Sequence, residues 1–130
     1  MTRRTISTAS APRTGLPYSQ AIAYGNMVFV SGQVAVDPAT GQPVDGDIRL
    51  QTRRVLDNVS AILEAAGTSL EYTLEAMCFL SDTADFAAFN EVYATYFPVD
   101  PPARTTVQTG LPAAGFKVEI RVVAGLPTGA

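Results

Sequence analysis

Two residues of this chain stand where charge is costly and chemistry is possible. Arg104 lies in Pro102-Ala103-Arg104-Thr105-Thr106-Val107, a β-type run that follows the proline cluster Pro98, Pro101 and Pro102. Prolines end a helix and hold the chain extended, so the arginine enters its strand on a stiff approach. A planar guanidinium at a strand start can grip a carboxylate or phosphate through parallel hydrogen bonds. The plainer alternative is a surface ion pair, which contributes little. Glu119 sits in the middle of the apolar strand Lys117–Ala124. A carboxylate there is either paired or functional, because an unpaired buried charge is very costly. Arg121 is two residues on, points to the same strand face, and is the nearest candidate partner.

Other side chains are weaker candidates, each with a plainer role. Tyr18 lies in the extended segment Leu16-Pro17-Tyr18-Ser19-Gln20 and can simply pack. Ser31-Gly32-Gln33 ends an apolar strand; the glycine allows close backbone approach to a ligand, or merely terminates the strand. Asn90 lies beside an aromatic stripe on a helix, where a surface asparagine is ordinary. Cys78, the single cysteine, sits in Ala76-Met77-Cys78-Phe79-Leu80 and reads as a buried inert thiol.

Several chemistries are excluded by composition. The chain has no histidine, which removes Ser-His-Asp and Cys-His catalysis, histidine metal sites and paired catalytic histidines. One cysteine allows neither an internal disulfide nor a multi-cysteine metal site. There is no Gly-rich phosphate loop and no acidic cluster for a divalent ion, so no cofactor or metal is expected. Nine basic against twelve acidic side chains give a net charge of −3, and the only basic pairs are Arg3-Arg4 and Arg53-Arg54. That is not the footprint of a nucleic-acid binder. No signal peptide or stretch of transmembrane length is evident, so a cytoplasmic protein is expected.

The elements that must hold these residues follow from periodicity. The 130 residues suggest one domain, 1–130, with room for a core. A short strand is expected at Thr5–Thr8. Ala21–Tyr24 and Met27–Ser31 form a hairpin around Gly25-Asn26, a pair that tolerates positive φ. Val34–Gly46 reads as a loop. Asp47 caps a helix over Ile48–Ala66, whose apolar residues Ile48, Val55, Leu56, Val59, Ile62, Leu63 and Ala66 form one stripe, with Gly67 following. Tyr72–Leu80 is apolar in both alternation sets, as a strand buried on both faces would be. Ser81-Asp82 caps a second helix, Thr83–Phe97, carrying Phe86, Phe89, Tyr93, Tyr96 and Phe97 on one face. Arg104–Thr109 and Lys117–Ala124 are the last strands. The order β-hairpin, α, β, α, β, β gives an α+β fold with two helices on one face of a sheet. The chain has no further helix to cover the second face. With hydrophobic residues at 47% and charged residues at 16%, self-association through that face is the simplest cover.

Taken in order, these segments resemble the RidA/YjgF family of reactive-intermediate (imine) deaminases, also called the L-PSP endoribonuclease family. The residues that carry the resemblance are Pro17-Tyr18-Ser19-Gln20; Gly25-Asn26 through Val28-Phe29-Val30-Ser31-Gly32-Gln33; Gln51-Thr52 with Leu56-Asp57-Asn58; Phe86 with Asn90 and Tyr93; Pro102-Ala103-Arg104; Leu111-Pro112; and Val118-Glu119-Ile120. The resemblance implies a subunit like chorismate mutase of the bacillus type. Three such subunits would pack their sheets into a central barrel, as a homotrimer with pockets in the clefts between subunits. It implies hydrolysis of enamines and imines to 2-oxo acids and ammonia, without a cofactor. By position, Arg104 would hold the substrate carboxylate and Glu119 would orient or activate the attacking water. Ser31 and Gly32 would line the pocket, Tyr18 and Asn90 would shape it, and Thr106 would contact the ligand. Leu16 stands where the family commonly has glycine, Arg121 where an acidic residue is frequent, and Thr106 where cysteine, valine or serine is common. These departures bear on substrate preference. Two other readings attach to the family: a ribonuclease or translation inhibitor, and a non-catalytic protein that binds small acids. Arg104 together with Glu119 favours catalysis over simple binding, and missing histidines count against general acid–base RNA cleavage.

Overall fold

The structure, a computed structural model, describes residues 1–127. Six strands form one mixed sheet: β1 (Arg3–Ile6), β2 (Ala21–Tyr24), β3 (Met27–Val30), β4 (Thr73–Leu80), β5 (Ala103–Gln108) and β6 (Val118–Gly125). Their spatial order is β1-β2-β3-β6-β4-β5. Every neighbouring pair is antiparallel except β4 and β5, which are joined through a helix as a parallel pair requires. That leaves β1 and β5 as the two edges.

Both helices lie on one face, as their sequence pattern predicts. Helix α1 spans Ile48–Ala66; Asp47 Oδ1 accepts from the Leu50 N–H at 2.9 Å, and Gly67 ends the helix in the left-handed region. Its stripe Val55, Leu56, Val59, Ile62 and Leu63 is fully buried. Helix α2 spans Phe86–Tyr96 and buries Phe89, Val92 and Tyr93. Facing them are Val28 and Val30 of β3, Ala76, Cys78 and Leu80 of β4, and Val118, Ile120 and Val122 of β6. Burying those side chains is the main favourable term in folding.

Strands β3, β5 and β6 differ from the sequence expectation by a residue at one or both ends, and four further details differ for local reasons. The first strand is Arg3–Ile6, not Thr5–Thr8, because the Thr8 N–H donates to Gln20 Oε1 at 2.7 Å instead of to a neighbouring strand. Leu70–Tyr72 forms a 3-10 turn, so β4 starts at Thr73. Asp82 Oδ1 accepts from Ala84 at 2.9 Å and winds Thr83–Asp85 into another 3-10 turn, so α2 starts at Phe86. In the hairpin Gly25 alone has positive φ, +62°, and Asn26 does not; that is the II′ pattern, which needs glycine at the first central position only.

The other face of the sheet is open. It carries Ile22, Phe29, Met77, Phe79, Val107 and Val123, and Phe29 and Val107 are 46% and 41% exposed. The expectation that β4 is buried on both faces therefore holds on one face within a single chain. No helix among the described residues is long and apolar enough to cross a membrane.

Candidate active site

Arg104 is the second residue of β5 and pairs in register with Ala76, which faces the helices. Its side chain accordingly runs beneath α2. The guanidinium carbon lies 4.8 Å from the Tyr93 ring centroid, 5.5 Å from Phe89 and 5.7 Å from Phe86. Nη1 donates to Asn90 Oδ1 at 2.8 Å. Phe86, Phe89, Asn90 and Tyr93 recur at three- and four-residue spacing, so one helix face builds the whole cage. The rings attract the cation without consuming its hydrogen bonds. Asn90 is the only hydrogen-bond partner of the Arg104 guanidinium among the described residues, so Nε and Nη2 are unused. The sequence placed the aromatic stripe on one helix face; that three of its rings surround Arg104 was not foreseen.

Next to Arg104, Thr106 pairs with Cys78 across β5 and β4. The Thr106 Oγ1 and the Tyr93 hydroxyl are both buried without a hydrogen-bond partner among the described residues. Burial pushes the Cys78 thiol up to about 12, against the opposing pull of Arg104 and the nearby Thr106 hydroxyl. Burial also pushes the Tyr93 phenol up to about 12. Neither group ionises near neutral pH, which fits the reading of Cys78 as inert.

Glu119 is held on the other face. It pairs in register with Phe79, away from the helices. The β3–β6 ladder gains one residue between the pairs Phe29–Val123 and Gln33–Ile120, where Val30, Ser31 and Gly32 face only Arg121 and Val122. This bulge presses the Gly32 backbone against the Glu119 side chain. A Cβ on residue 32 would overlap Glu119 Oε2 and stand 3.0 Å from its Cδ, so only glycine fits without moving the carboxylate. The Ser31 hydroxyl donates to Ser19 O at 2.6 Å, tying the bulge to the Tyr18 segment. Gln20 binds the carbonyls of Thr8, Ala11 and Pro12 and fixes that segment from behind.

Glu119, Ser31, Gly32, Tyr18, Phe116 and Arg121 line a cavity of about 680 Å³, walled mostly by apolar side chains. The candidate Glu119–Arg121 ion pair does not form: the one salt bridge among the described residues joins Arg49 to Glu91. Arg121 is exposed and reaches solvent instead. Glu119 is left unpaired, and burial raises its pKa above the ordinary glutamate value. No group of three or more His, Cys, Asp or Glu that could hold a metal ion occurs among the described residues.

The sequence candidates thus fall into two groups. Arg104, Asn90 and Thr106 share the helix face at the β5 edge, whereas Glu119, Ser31, Gly32 and Tyr18 share the open face. A packed sheet stands between them, so the guanidinium and the unpaired carboxylate of one chain do not face each other. Such a subunit is a small α+β protein with two separate polar clusters and no histidine.

The chain belongs to the Endoribonuclease L-PSP family, the RidA/YjgF family, whose model matches residues 8–126. It is 47% identical over 122 residues to a RutC family protein of Pyrococcus horikoshii, covering 94% of this chain and 97% of that one. It is 40% identical over 124 residues to the 2-iminobutanoate/2-iminopropanoate deaminase of Capra hircus, covering 95% of this chain and 90% of that one. Among solved structures it resembles E. coli TdcF with bound serine, at a TM-score of 0.89 and 38% identity, covering 95% of this chain and 99% of that one.

Proposed function

We propose that this protein hydrolyses reactive 2-imino and 2-enamino acids to 2-oxo acids and ammonia, at a site completed by two copies of the chain. The observation that carries the reading is the pairing of a caged, underused guanidinium with an unpaired, half-buried carboxylate on opposite faces of one sheet. Relatives named imine deaminases and a relative crystallised with serine support a small amino-acid-derived substrate.

In this reading Arg104 of one copy clamps the substrate carboxylate through Nε and Nη2, and Asn90 and the rings fix its plane. Glu119 of a neighbouring copy faces C2 of the protonated imine. Water adds to C2 and gives one proton to Glu119, forming a tetrahedral amino alcohol. Glu119 returns that proton to the nitrogen; ammonia leaves as the hydroxyl collapses to the ketone, its proton balancing the ammonium released. The imine is already electrophilic, so neither metal nor covalent nucleophile is needed. Nuclease activity is not carried over from the family description: a net charge of −3 and the absence of histidine give it no support. The test is imine hydrolysis with a panel of amino acids, each oxidised in situ by an amino-acid oxidase. Imine lifetimes unchanged by the protein across the panel would refute the reading.

The apolar open face is the surface that a second and third copy would cover, as a closed ring. Light scattering on a size-exclusion column should return about three subunit masses at micromolar concentration. A monomer would remove both the ring and the shared site.

A further inference from the structure

Gln51 is a buried amide in an apolar stripe. It is 1% exposed, between Ile48 and Val55 on the face of α1 that meets the sheet. A hydrocarbon would serve that packing better, since a buried amide costs stability unless it is hydrogen-bonded. Every bond it makes goes to loop backbone. Its Nε2 donates to Gly115 O at 2.8 Å and to Gly46 O at 3.3 Å, and its Oε1 accepts from the Lys117 N–H at 2.8 Å. The carbonyl of Lys117 is held too, by the Ser81 N–H at 3.1 Å. The amide therefore grips the chain immediately before and immediately after Phe116. Phe116 and Pro112, of the same loop, line the cavity that contains Glu119.

We infer that Gln51 is a positioning residue for Glu119: by fixing the backbone on both sides of Phe116, it holds that ring in the cavity wall and keeps water from the carboxylate. The functional meaning rests on the reading of Glu119 as proton acceptor; the structural claim does not. Within one chain the charged and titratable groups around Glu119 are Lys117 just before β6, Arg121 on β6, Tyr18 on the segment before β2, and Glu75 farther along β4; in the proposed shared site Arg104 of a neighbouring copy joins them. The β3, β4 and β5 positions nearest it on that face are Phe29, Phe79 and Val107. None of these groups changes when Gln51 or Phe116 is altered, so a change in the titration of Glu119 reports hydration.

The experiment is a carbon-13 NMR titration of the Glu119 carboxyl in the wild type, Gln51→Met and Phe116→Ala. Methionine fills the glutamine's volume and removes only its hydrogen bonds; Gln51→Asn, too short to reach both partners, replaces it if the methionine variant does not fold. Both changes should move the Glu119 titration downward, toward the 4.5 of an ordinary glutamate. An unmoved titration in Phe116→Ala overturns the wall. A lowered titration in Phe116→Ala with an unmoved one in the folded Gln51 variant overturns the latch, and a lower melting temperature alone would mark Gln51 as merely structural. The measurement needs no substrate, so failure of the deaminase reading would show separately, in the imine assay.

Discussion

Arg104→Lys should lose nearly as much imine hydrolysis as Arg104→Ala. Lysine keeps the charge and the stem, and it can still lie against Tyr93 and Phe89. It cannot offer two donors in one plane, and that plane is what Asn90 and the rings set around Arg104. Loss of a charge-assisted hydrogen bond costs roughly 1.5–3 kcal/mol, about ten- to a hundred-fold in rate. Misplacing C2 relative to the water adds to the loss. Alanine also empties the cage, so it should lower the melting temperature, whereas lysine should do so less. Parallel rate measurements and melting curves on the two variants check this. A lysine variant with near-normal turnover would reduce Arg104 to a generic cation, and full activity in alanine would sink the assignment.

Glu119→Gln should keep the fold and lose most of the turnover. The amide preserves shape beside Gly32 and removes the proton acceptor, and general-base contributions run to ~10²–10⁴-fold. Because the ionised form is the active one, the acidic limb of kcat/KM in the wild type should lie above 4.5 and vanish in the variant. Stability should move the opposite way. A carboxyl whose pKa is raised in the folded state keeps its proton where the unfolded chain has released it. Native stability therefore falls as pH rises from the ordinary value through the raised one, and stays lower above it. Glu119→Gln removes that penalty, so its melting temperature should exceed the wild type's at neutral pH and match it below about pH 4. A variant that is active and unstabilised would make Glu119 an ordinary strand residue.

Most of the fold was legible because its signals are local. Asp47, the seven-residue apolar stripe of α1 and Gly67 mark one helix without reference to anything else. The Asp82 turn was less so, because capping at Asp82 and helical geometry from Phe86 are separated by a 3-10 turn that periodicity does not distinguish. At the site, residue types pointed to Arg104 and Glu119, but alternation could not reveal that they leave opposite faces. That depends on strand register: Ala76 against Arg104 on one side, Phe79 against Glu119 on the other. Spacing suggested the Glu119–Arg121 pair, but the pair does not form and Arg121 is exposed. Gln51 did leave a trace, as a polar residue in phase with a buried stripe. Two of its three partners lie more than sixty residues away, in a loop whose path the sequence does not state.

Under the proposed ring with shared clefts, the placement of Arg104 and Glu119 on opposite faces has a genetic consequence. Two alleles, one lacking the arginine and one lacking the glutamate, would each be silent alone. Expressed together, they would form mixed rings in which some clefts draw Arg104 from one product and Glu119 from the other. With random assembly of equal amounts, about a quarter of the clefts would be intact. A heterozygote of two null alleles would then regain activity that neither homozygote has, and a protein whose sites were each contained in one chain would show no such rescue.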